Sequence, residues 1–260
     1  MDRDKVKLGG WITVPHPTIV DILCDTGLDW LCVDLEHSPV SRLELQTALT
    51  IIQGRGKKAF VRVNCNTHSE IKFALDAGPD GIIVPMVNSY EDAQLAIENS
   101  YYPPKGKRGV GLARAQKYGF GFEQHLKQNL EELELFVQIE HIRGVQEIEK
   151  ILNLEDITGV FLGPYDLSGS MGIPGQLTHP RMMEAIDLVA EKTLRSGKML
   201  GLHVIKPEYE KLLAGIKKGY RFIAFSFDTF FLKQKIDEEL QAFTKCLTAE
   251  TESELKNQQS

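Results

Sequence analysis

Two segments of the chain, Val137-Gln138-Ile139-Glu140 and Gly163-Pro164-Tyr165-Asp166-Leu167-Ser168, indicate how it folds. In each, an apolar run of strand length stops at a carboxylate, which is Glu140 in the first and Asp166 in the second. Neighbouring strands of one sheet lie roughly 5 Å apart. Two carboxylates at adjacent strand ends could therefore share one hard divalent cation, with waters and an oxygen-rich substrate completing its coordination.

Outward from these segments, apolar runs of strand length alternate with amphipathic stretches of helix length, which predicts βα units on a parallel sheet. The predicted strands are Lys7–Val14, Asp29–Leu35, Lys58–Asn64, Gly81–Val87, Leu133–Glu140, Gly159–Gly163, Met199–Ile205 and Phe222–Asp228. The predicted helices cover residues 17–26, 41–53, 68–77, 89–99, 143–152, 180–196, 207–218 and 229–247. This strict alternation predicts an α/β fold of the (β/α)8 TIM-barrel type.

A doubly wound open sheet is the competing architecture. It would usually carry a glycine-rich turn for phosphate after its first strand, but Val14-Pro15-His16-Pro17 occupies that place and no G-x-G-x-x-G or Walker motif follows any strand. The barrel is therefore favoured, as a single domain over residues 1–248. Residues 101–130 form a long insert before the fifth strand, and the polar tail at 249–260 is expected to be disordered.

Composition narrows the possible partners. The formal charge of −6 and the pI near 5.7, without a basic block, argue against binding to nucleic acid or to a membrane surface. Lys105, Lys107 and Arg108 cluster between prolines and glycines, which indicates a solvated loop. Four scattered cysteines make no disulfide framework, and neither a signal core nor a membrane-length run is seen. A cytoplasmic location is expected.

Polar residues gather where the predicted strands end, which is where a barrel places its active site. They are Asp34, Glu36, His37, Arg62, Asn64, Gln138, Glu140, Asp166, His203 and Asp228. An unpaired polar group buried in a strand costs a few kcal/mol, so their concentration at one rim suggests chemistry.

Structural roles remain open for most of them. Glu140 could bind a neighbouring loop, Asp166 could start a turn, and Arg62 could form a structural ion pair. His37 could be a surface residue. His203 resembles a satisfied strand histidine, and Asp228 resembles the N-cap of the last helix.

The same residues lie in motifs that resemble a known family. The motifs are Asp29–His37, Val61-Arg62, Val84–Val87, Tyr102–Pro104 with Arg108–Gly111, Val137–Glu140 and Gly163–Ser168. They resemble the class II pyruvate aldolases of the HpcH/HpaI family, the 4-hydroxy-2-oxoheptanedioate and 2-keto-3-deoxy sugar-acid aldolases, in order from about residue 8 to 232. The resemblance implies a metal-dependent (β/α)8 barrel, assembled as a homotrimer or homohexamer, with the C-terminal helix exchanged between subunits.

The resemblance also implies residue roles. Glu140 and Asp166 would bind a divalent Mg, Mn or Co ion, and Asp166 with Tyr165 would contact the substrate. Arg62 would contact the keto oxygen and Gln138 would position the substrate. His37 would be the acid/base, paired with a carboxylate at Asp76, although the sequence by itself suggests that Asp76 is an exposed helix-end residue.

The implied reaction is the reversible cleavage of a 4-hydroxy-2-keto acid to pyruvate and an aldehyde, catalysed by a carbon-carbon lyase. Lys206 is the only lysine near a strand end, which makes a Schiff-base route less favourable. The alternatives are an oxaloacetate decarboxylase, a CoA-dependent citrate-lyase-like enzyme, or a barrel that only binds a keto acid. Departures from the family pattern at Leu35, Tyr165 and His141 lie near the expected aldehyde position.

Overall fold

A computed structural model describes the backbone of residues 5–258 and the side chains of residues 5–249. All neighbouring strands run parallel, and they close into one barrel in chain order, with β1 paired to β8. The strands are β1 (Lys7–Ile12), β2 (Trp30–Asp34), β3 (Lys58–Arg62), β4 (Gly81–Val84), β5 (Glu134–Ile139), β6 (Gly159–Leu162), β7 (Met199–Val204) and β8 (Phe222–Phe227). The predicted (β/α)8 barrel is confirmed, and each strand lies within its predicted run.

Helices connect the strands and carry the local signals that predicted them. For example, Ser41 and Glu44 form a capping box at the start of the second helix. The helices are α1 (Pro17–Cys24), α2 (Arg42–Gly54), α3 (His68–Asp76), α4 (Tyr90–Ser100), α5 (Phe122–Glu131), α6 (Ile142–Gln146), α7 (Ile148–Leu152), α8 (Pro164–Ser170), α9 (Pro180–Arg195), α10 (Tyr209–Lys218) and α11 (Asp228–Gln258).

Several helices differ from the predicted ones. The short helix α8, directly after β6, lies where no helix was predicted. The insert at 101–130 contains α5, whose first residue follows Gly121 without a capping side chain, so no start signal marks it. The single helix predicted at 143–152 is divided into α6 and α7, which meet at Glu147.

The C-terminal helix passes the predicted domain boundary. α11 crosses residue 248 and continues to Gln258. Side chains from residue 250 onward, and residues 259 and 260 entirely, lie outside the described part of the chain, so the expected disorder of the tail stays a prediction. Among the helices that the structure describes, none has both the length and the apolar character needed to cross a membrane.

Aromatic rings fill the interior of the barrel. Phe222 stacks on Trp30 at 4.0 Å and on Phe136 at 4.2 Å between ring centroids. Glycines make the space for these rings, since a Cβ at Gly9 would lie 2.0 Å from the Trp30 ring and one at Gly81 would lie 2.4 Å from the Phe60 ring. The barrel is therefore a packed core, and any binding site is confined to its mouth.

We expect Gly9→Ala to destabilise the protein by about 1–3 kcal/mol or more, because the new methyl group overlaps Trp30 and overpacked cores lose stability on this scale. The measurement is urea unfolding followed by circular dichroism. Gly54→Ala is the matched control, since nothing lies within 4 Å of its Cβ position at the end of α2. Equal stabilities of the two variants would contradict the packing argument.

Candidate active site

A cavity of about 530 Å³ opens at the carboxyl ends of the barrel strands. Its walls combine polar groups predicted from the sequence with apolar residues from the last layer of the barrel. The lining residues are Trp11, Thr13, Asp34, His37, Arg62, Gln138, Phe161, Leu162, Gly163, Pro164, Tyr165, Asp166, His203, Ile205, Phe227 and Thr229. Six of the ten predicted rim residues therefore line one cavity, whereas Glu36, Asn64, Glu140 and Asp228 are not among its lining residues. Asp76 is not part of it either.

Arg62 is the cation at the centre of the site. Its Nε and Nη2 donate to the two oxygens of Asp34 at 2.9 and 2.7 Å, and its Nη1 lies 2.9 Å from Oε2 of Glu36. The guanidinium also lies over the Trp11 ring, 5.1 Å from the centroid. Since Asp34 and Arg62 face each other in the register of β2 and β3, the backbone pairing places this fork.

Asp34 was named at the strand end but given no role, and the structure shows what it does. Besides binding Arg62, its Oδ1 accepts the backbone N–H groups of Glu36 at 3.0 Å and His37 at 3.4 Å. Burial would raise the pKa of Asp34, but the hydrogen bonds and charge of Arg62 outweigh it and lower that pKa. The ionised carboxylate thus orders the loop that carries His37.

Glu140 is held from both sides at the end of β5. Its Oε1 accepts the backbone N–H of Met86 at 2.6 Å, and its Oε2 accepts the side-chain amide of Gln138. Met86 has φ +54°, a left-handed conformation that costs energy in a residue other than glycine. Gly163 leaves room for the carboxylate, because a Cβ there would come within 2.7 Å of Glu140 Oε2.

The site has more negative than positive charge. Glu36, Glu140, Asp166 and Asp34 face one cation, Arg62, at the same mouth. Burial raises the pKa of Glu36 to about 7, offset in part by Arg62 and reinforced by Asp34 and Asp166. Burial, opposed by the two hydrogen bonds and reinforced by Glu36 and Asp166, raises the pKa of Glu140 to about 7.

This donor set fits a divalent metal ion. Glu140 and Asp166 supply the hard oxygens that Mg²⁺ or Mn²⁺ prefers, and a cation there would offset the surplus negative charge. Within residues 5–249, no three His, Cys, Asp or Glu side chains are grouped as metal ligands, so waters and substrate would have to complete the coordination. Glu140 and Asp166 would hold the ion.

The structure does not bring Asp76 to His37 within one chain. His37 is 66% exposed at the cavity edge, with Nε2 3.9 Å from Oε2 of Glu36. Asp76, at the end of α3, instead binds Lys72 Nζ at 2.9 Å and Arg108 Nη2 at 3.0 Å. The expectation of an exposed Asp76 was wrong, because this side chain is only 18% exposed.

Asp76 is shielded by Arg108, which lies in the insert at 101–130. Arg108 is 1% exposed and lies over the Tyr102 ring at 4.6 Å, so the solvated loop expected around it was wrong at this position. No local pattern marks Arg108 as buried among prolines and glycines. A buried arginine needs an anionic partner, which Asp76 supplies here. Because the burial itself has no local pattern, no signal in the sequence pointed to this pair.

The residues that depart from the family pattern have different surroundings. Tyr165 lines the cavity beside Asp166 and is 53% exposed. His141 is the N-cap of α6, where its Nδ1 accepts the backbone N–H of Arg143 at 3.1 Å. Leu35 packs partly buried against the apolar core outside the barrel. Of the three, only Tyr165 lines the cavity.

Comparison with known proteins identifies the family of this chain. A family model described as HpcH/HpaI aldolase/citrate lyase matches residues 7–234. The chain belongs to this family. A 2-keto-3-deoxy-L-rhamnonate aldolase of Klebsiella pneumoniae is 33% identical over 93% of this chain and 90% of its own, and one of Escherichia coli K12 is 31% identical over the same shares.

Solved structures agree with the family assignment. An HpcH/HpaI aldolase/citrate lyase family protein of Burkholderia cenocepacia superposes with a TM-score of 0.87 and 29% identity, covering 94% of this chain and 96% of its own. An HpcH/HpaI aldolase of Desulfitobacterium hafniense gives 0.84 and 26%, covering 92% and 93%. The family resemblance seen in the sequence motifs is confirmed.

The raised pKa values of this HpcH/HpaI site predict a pH effect on the metal-free protein. Burial raises the pKa of Glu140 from its ordinary value of 4.5 to about 7 in the folded protein, so its contribution to stability falls as the pH rises through that window. Glu140→Gln cannot ionise. After EDTA treatment, the Tm of Glu140→Gln minus that of the unmodified protein should therefore increase from pH 5 to pH 8, as measured by calorimetry. Glu131→Gln, on an exposed carboxylate, should show no such trend, and a pH-independent difference for Glu140→Gln would refute the burial of this charge.

Proposed function

We propose that this protein is a metal-dependent class II aldolase that reversibly cleaves a 4-hydroxy-2-keto acid to pyruvate and an aldehyde. The observation that carries the proposal is the buried carboxylate Glu140 at the end of β5, together with Asp166 and an arginine held by two carboxylates in the cavity wall. The aldolase names of relatives 31–33% identical over most of the chain support it. The cytoplasmic location stays a prediction.

The residues of the chain suggest how the substrate is held. Glu140 and Asp166 would hold a divalent Mg, Mn or Co ion, which would supply Lewis-acid chemistry at the keto carbonyl. Arg62 donates to the keto oxygen and stabilises the negative charge that develops there in the enolate. Asp34 and Glu36 keep the guanidinium in place, while Gln138, Tyr165 and Asp166 position the substrate carboxylate end.

His37 moves the proton in this mechanism. It accepts the proton of the C4 hydroxyl as the C3–C4 bond breaks, and it returns a proton in the condensation direction. Its position at the open edge of the cavity suits the end of the substrate that leaves as an aldehyde. The apolar walls formed by Trp11, Phe161 and Phe227 exclude water from the enolate.

A CoA-dependent reaction is less well supported. A nucleotide phosphate needs cations or free backbone donors, and Arg62 is the one lysine or arginine among the cavity residues that the structure describes.

We further propose a homotrimer or homohexamer. One face of α11 exposes apolar side chains spaced three or four residues apart, which a monomer leaves in water: Leu232, Ile236, Leu240, Phe243 and Leu247. Exchange of this helix between subunits would bury them. Since Asp76 does not contact His37 within one chain, a pair between them requires a neighbouring subunit.

Removal of a metal ligand tests the reaction. Glu140→Ala should lower the rate of pyruvate condensation with aldehydes by at least about 100-fold and abolish Mn²⁺ binding measured by calorimetric titration, because half of the protein's ligand set is lost. EDTA should abolish the activity of the unmodified protein. Glu131→Ala, on the exposed end of α5, is the control for folding and handling. Full activity in EDTA, or condensation with no aldehyde of the panel, would refute the proposed function.

Mixing two inactive variants tests the subunit arrangement. His37→Asn and Asp76→Asn should each be inactive alone, whereas trimers assembled from equal amounts should regain about a quarter of the activity, since that share of interfaces pairs an intact His37 with an intact Asp76. Lys72→Ala is the control, because it removes another partner of Asp76 but keeps the carboxylate. It should therefore stay active without mixing. Absence of recovery in verified mixed oligomers would contradict pairing across subunits.

A further inference from the structure

A second cavity, of about 580 Å³, lies at the end of the barrel opposite to the candidate active site. Among its lining residues, Lys58 is the first residue of β3, and Asp80 and Leu133 directly precede β4 and β5. Arg62 is the last residue of β3, so the five residues of this strand, about 13 Å, separate the two cavities. The end of α3 and the insert at 101–130 form most of the other walls.

The second cavity has the opposite charge balance to the active site. Four cationic and two carboxylate side chains line it, whereas carboxylates outnumber cations at the active site. Two of the four cations are paired, because Lys58 Nζ lies 3.3 Å from Oε1 of Glu134 and Arg108 Nη2 lies 3.0 Å from Oδ1 of Asp76. The charged lining residues are Lys58, Arg108, Arg114, Lys117, Asp80 and Glu132.

The other two cations, Arg114 and Lys117, form no ion pair with any carboxylate in residues 5–249. Arg114 donates to neutral acceptors, the carbonyl of Ala77 and Oε1 of Gln53, both at 2.7 Å, and burial lowers its pKa. Lys117 Nζ lies 3.4 Å from Oε1 of Gln124. The backbone N–H of Lys117 donates to the carbonyl of Arg114 at 2.9 Å, so the two cations lie on one turn. Two adjacent charges of this kind favour an anion between them.

Three buried polar atoms of lining residues have no hydrogen-bond partner within the described part of the chain. They are Nε of Arg108, Nε2 of His125 and Oδ1 of Asn129. Arg108 is 1% exposed and Asn129 is 4% exposed, and a buried polar atom left without a partner costs about 1–3 kcal/mol. Burial, reinforced by Arg108 and opposed by Asp76, lowers the pKa of His125 to about 4, so its imidazole is neutral. Buried polar atoms are nearly always bound, which indicates that a ligand or water supplies the partners here.

The donors and acceptors of the cavity define the chemistry of a ligand. Nε of Arg108 can only donate, and Oδ1 of Asn129 can only accept. A ligand must therefore carry both acceptor oxygens and O–H groups. The carboxylates of Asp80 and Glu132 would repel a second acidic group but can accept hydrogen bonds from hydroxyls. Two unpaired cations also match one dianionic group better than a single carboxylate.

We propose that the second cavity is a binding site for a sugar phosphate. The phosphate group binds to Arg114 and Lys117, and hydroxyl groups of the sugar bind to His125 and Asn129. The volume of about 580 Å³ lies within the usual range for small-molecule pockets. Binding at this end of the barrel is independent of the aldolase reaction proposed above.

Calorimetric titration of the metal-loaded protein tests this site, with saturating pyruvate present to compete for the candidate active site. The probes are glucose 6-phosphate, ribose 5-phosphate and glycerol 3-phosphate. They are compared with glucose, gluconate and inorganic phosphate, each of which lacks either the dianionic group or the hydroxyls. At least one phosphate ester should bind about tenfold more tightly than each of these three, the effect of one charged hydrogen bond.

A charge reversal on the insert locates the binding. Lys117→Glu should weaken binding of the same ester at least about tenfold, and it should remove the increase in Tm that the ester causes. Lys117 is exposed, so this variant should fold. Lys127→Glu is the matched control, because it makes the same charge change on α5 at a residue that does not line the cavity. It should bind the ester as the unmodified protein does.

Three results would overturn the proposal. They are no binding of any of the three esters, equally tight binding of gluconate or inorganic phosphate, and unchanged affinity in folded Lys117→Glu. The first would leave water as the partner of the buried polar atoms. None of these results affects the aldolase proposal, which is tested by condensation of pyruvate with aldehydes.

Discussion

The ion pair between Arg62 and Asp34 is the interaction on which the arrangement of the site depends. The two residues face each other across β2 and β3, so the parallel pairing of the barrel strands brings them together. The same carboxylate accepts the backbone N–H groups of the loop that carries His37, and the guanidinium reaches Glu36 and covers Trp11. Breaking a buried pair of this kind leaves an uncompensated charge, which costs about 3–5 kcal/mol.

The packed barrel explains why the chemistry is confined to one end. Large rings from Trp30, Phe60, Phe136 and Phe222 occupy the interior, and glycines on adjacent strands give them room. A substrate can therefore approach only from the mouth, above Trp11 and Phe161. Polar side chains begin only where this aromatic core ends, because there they can bind polar partners or water.

Two strained backbone positions at the cavity mouth hold side chains of the site in place. Met86 and Ser226 are residues other than glycine with positive φ, and each directs one backbone polar group toward the cavity. The N–H of Met86 binds the proposed metal ligand Glu140, and the carbonyl of Ser226 fixes the ring of His203. Both conformations cost free energy that surrounding contacts must offset, which is typical of functional sites.

The sequence by itself determined the barrel and most of its rim, because hydrophobic periodicity and capping are local and act within a few residues. Glu140, Asp166, Arg62 and Gln138 could be named in advance, since parallel strands bring their carboxyl ends to the same edge. Tyr165 was named only from the family resemblance. Only the tertiary structure decided the burial of Arg108 with Asp76 and the orientation of His203. The first depends on how an irregular insert folds over α3, and the second on a one-residue bulge in a different strand. Neither leaves a pattern within its own segment, because both result from contacts between residues far apart in the chain.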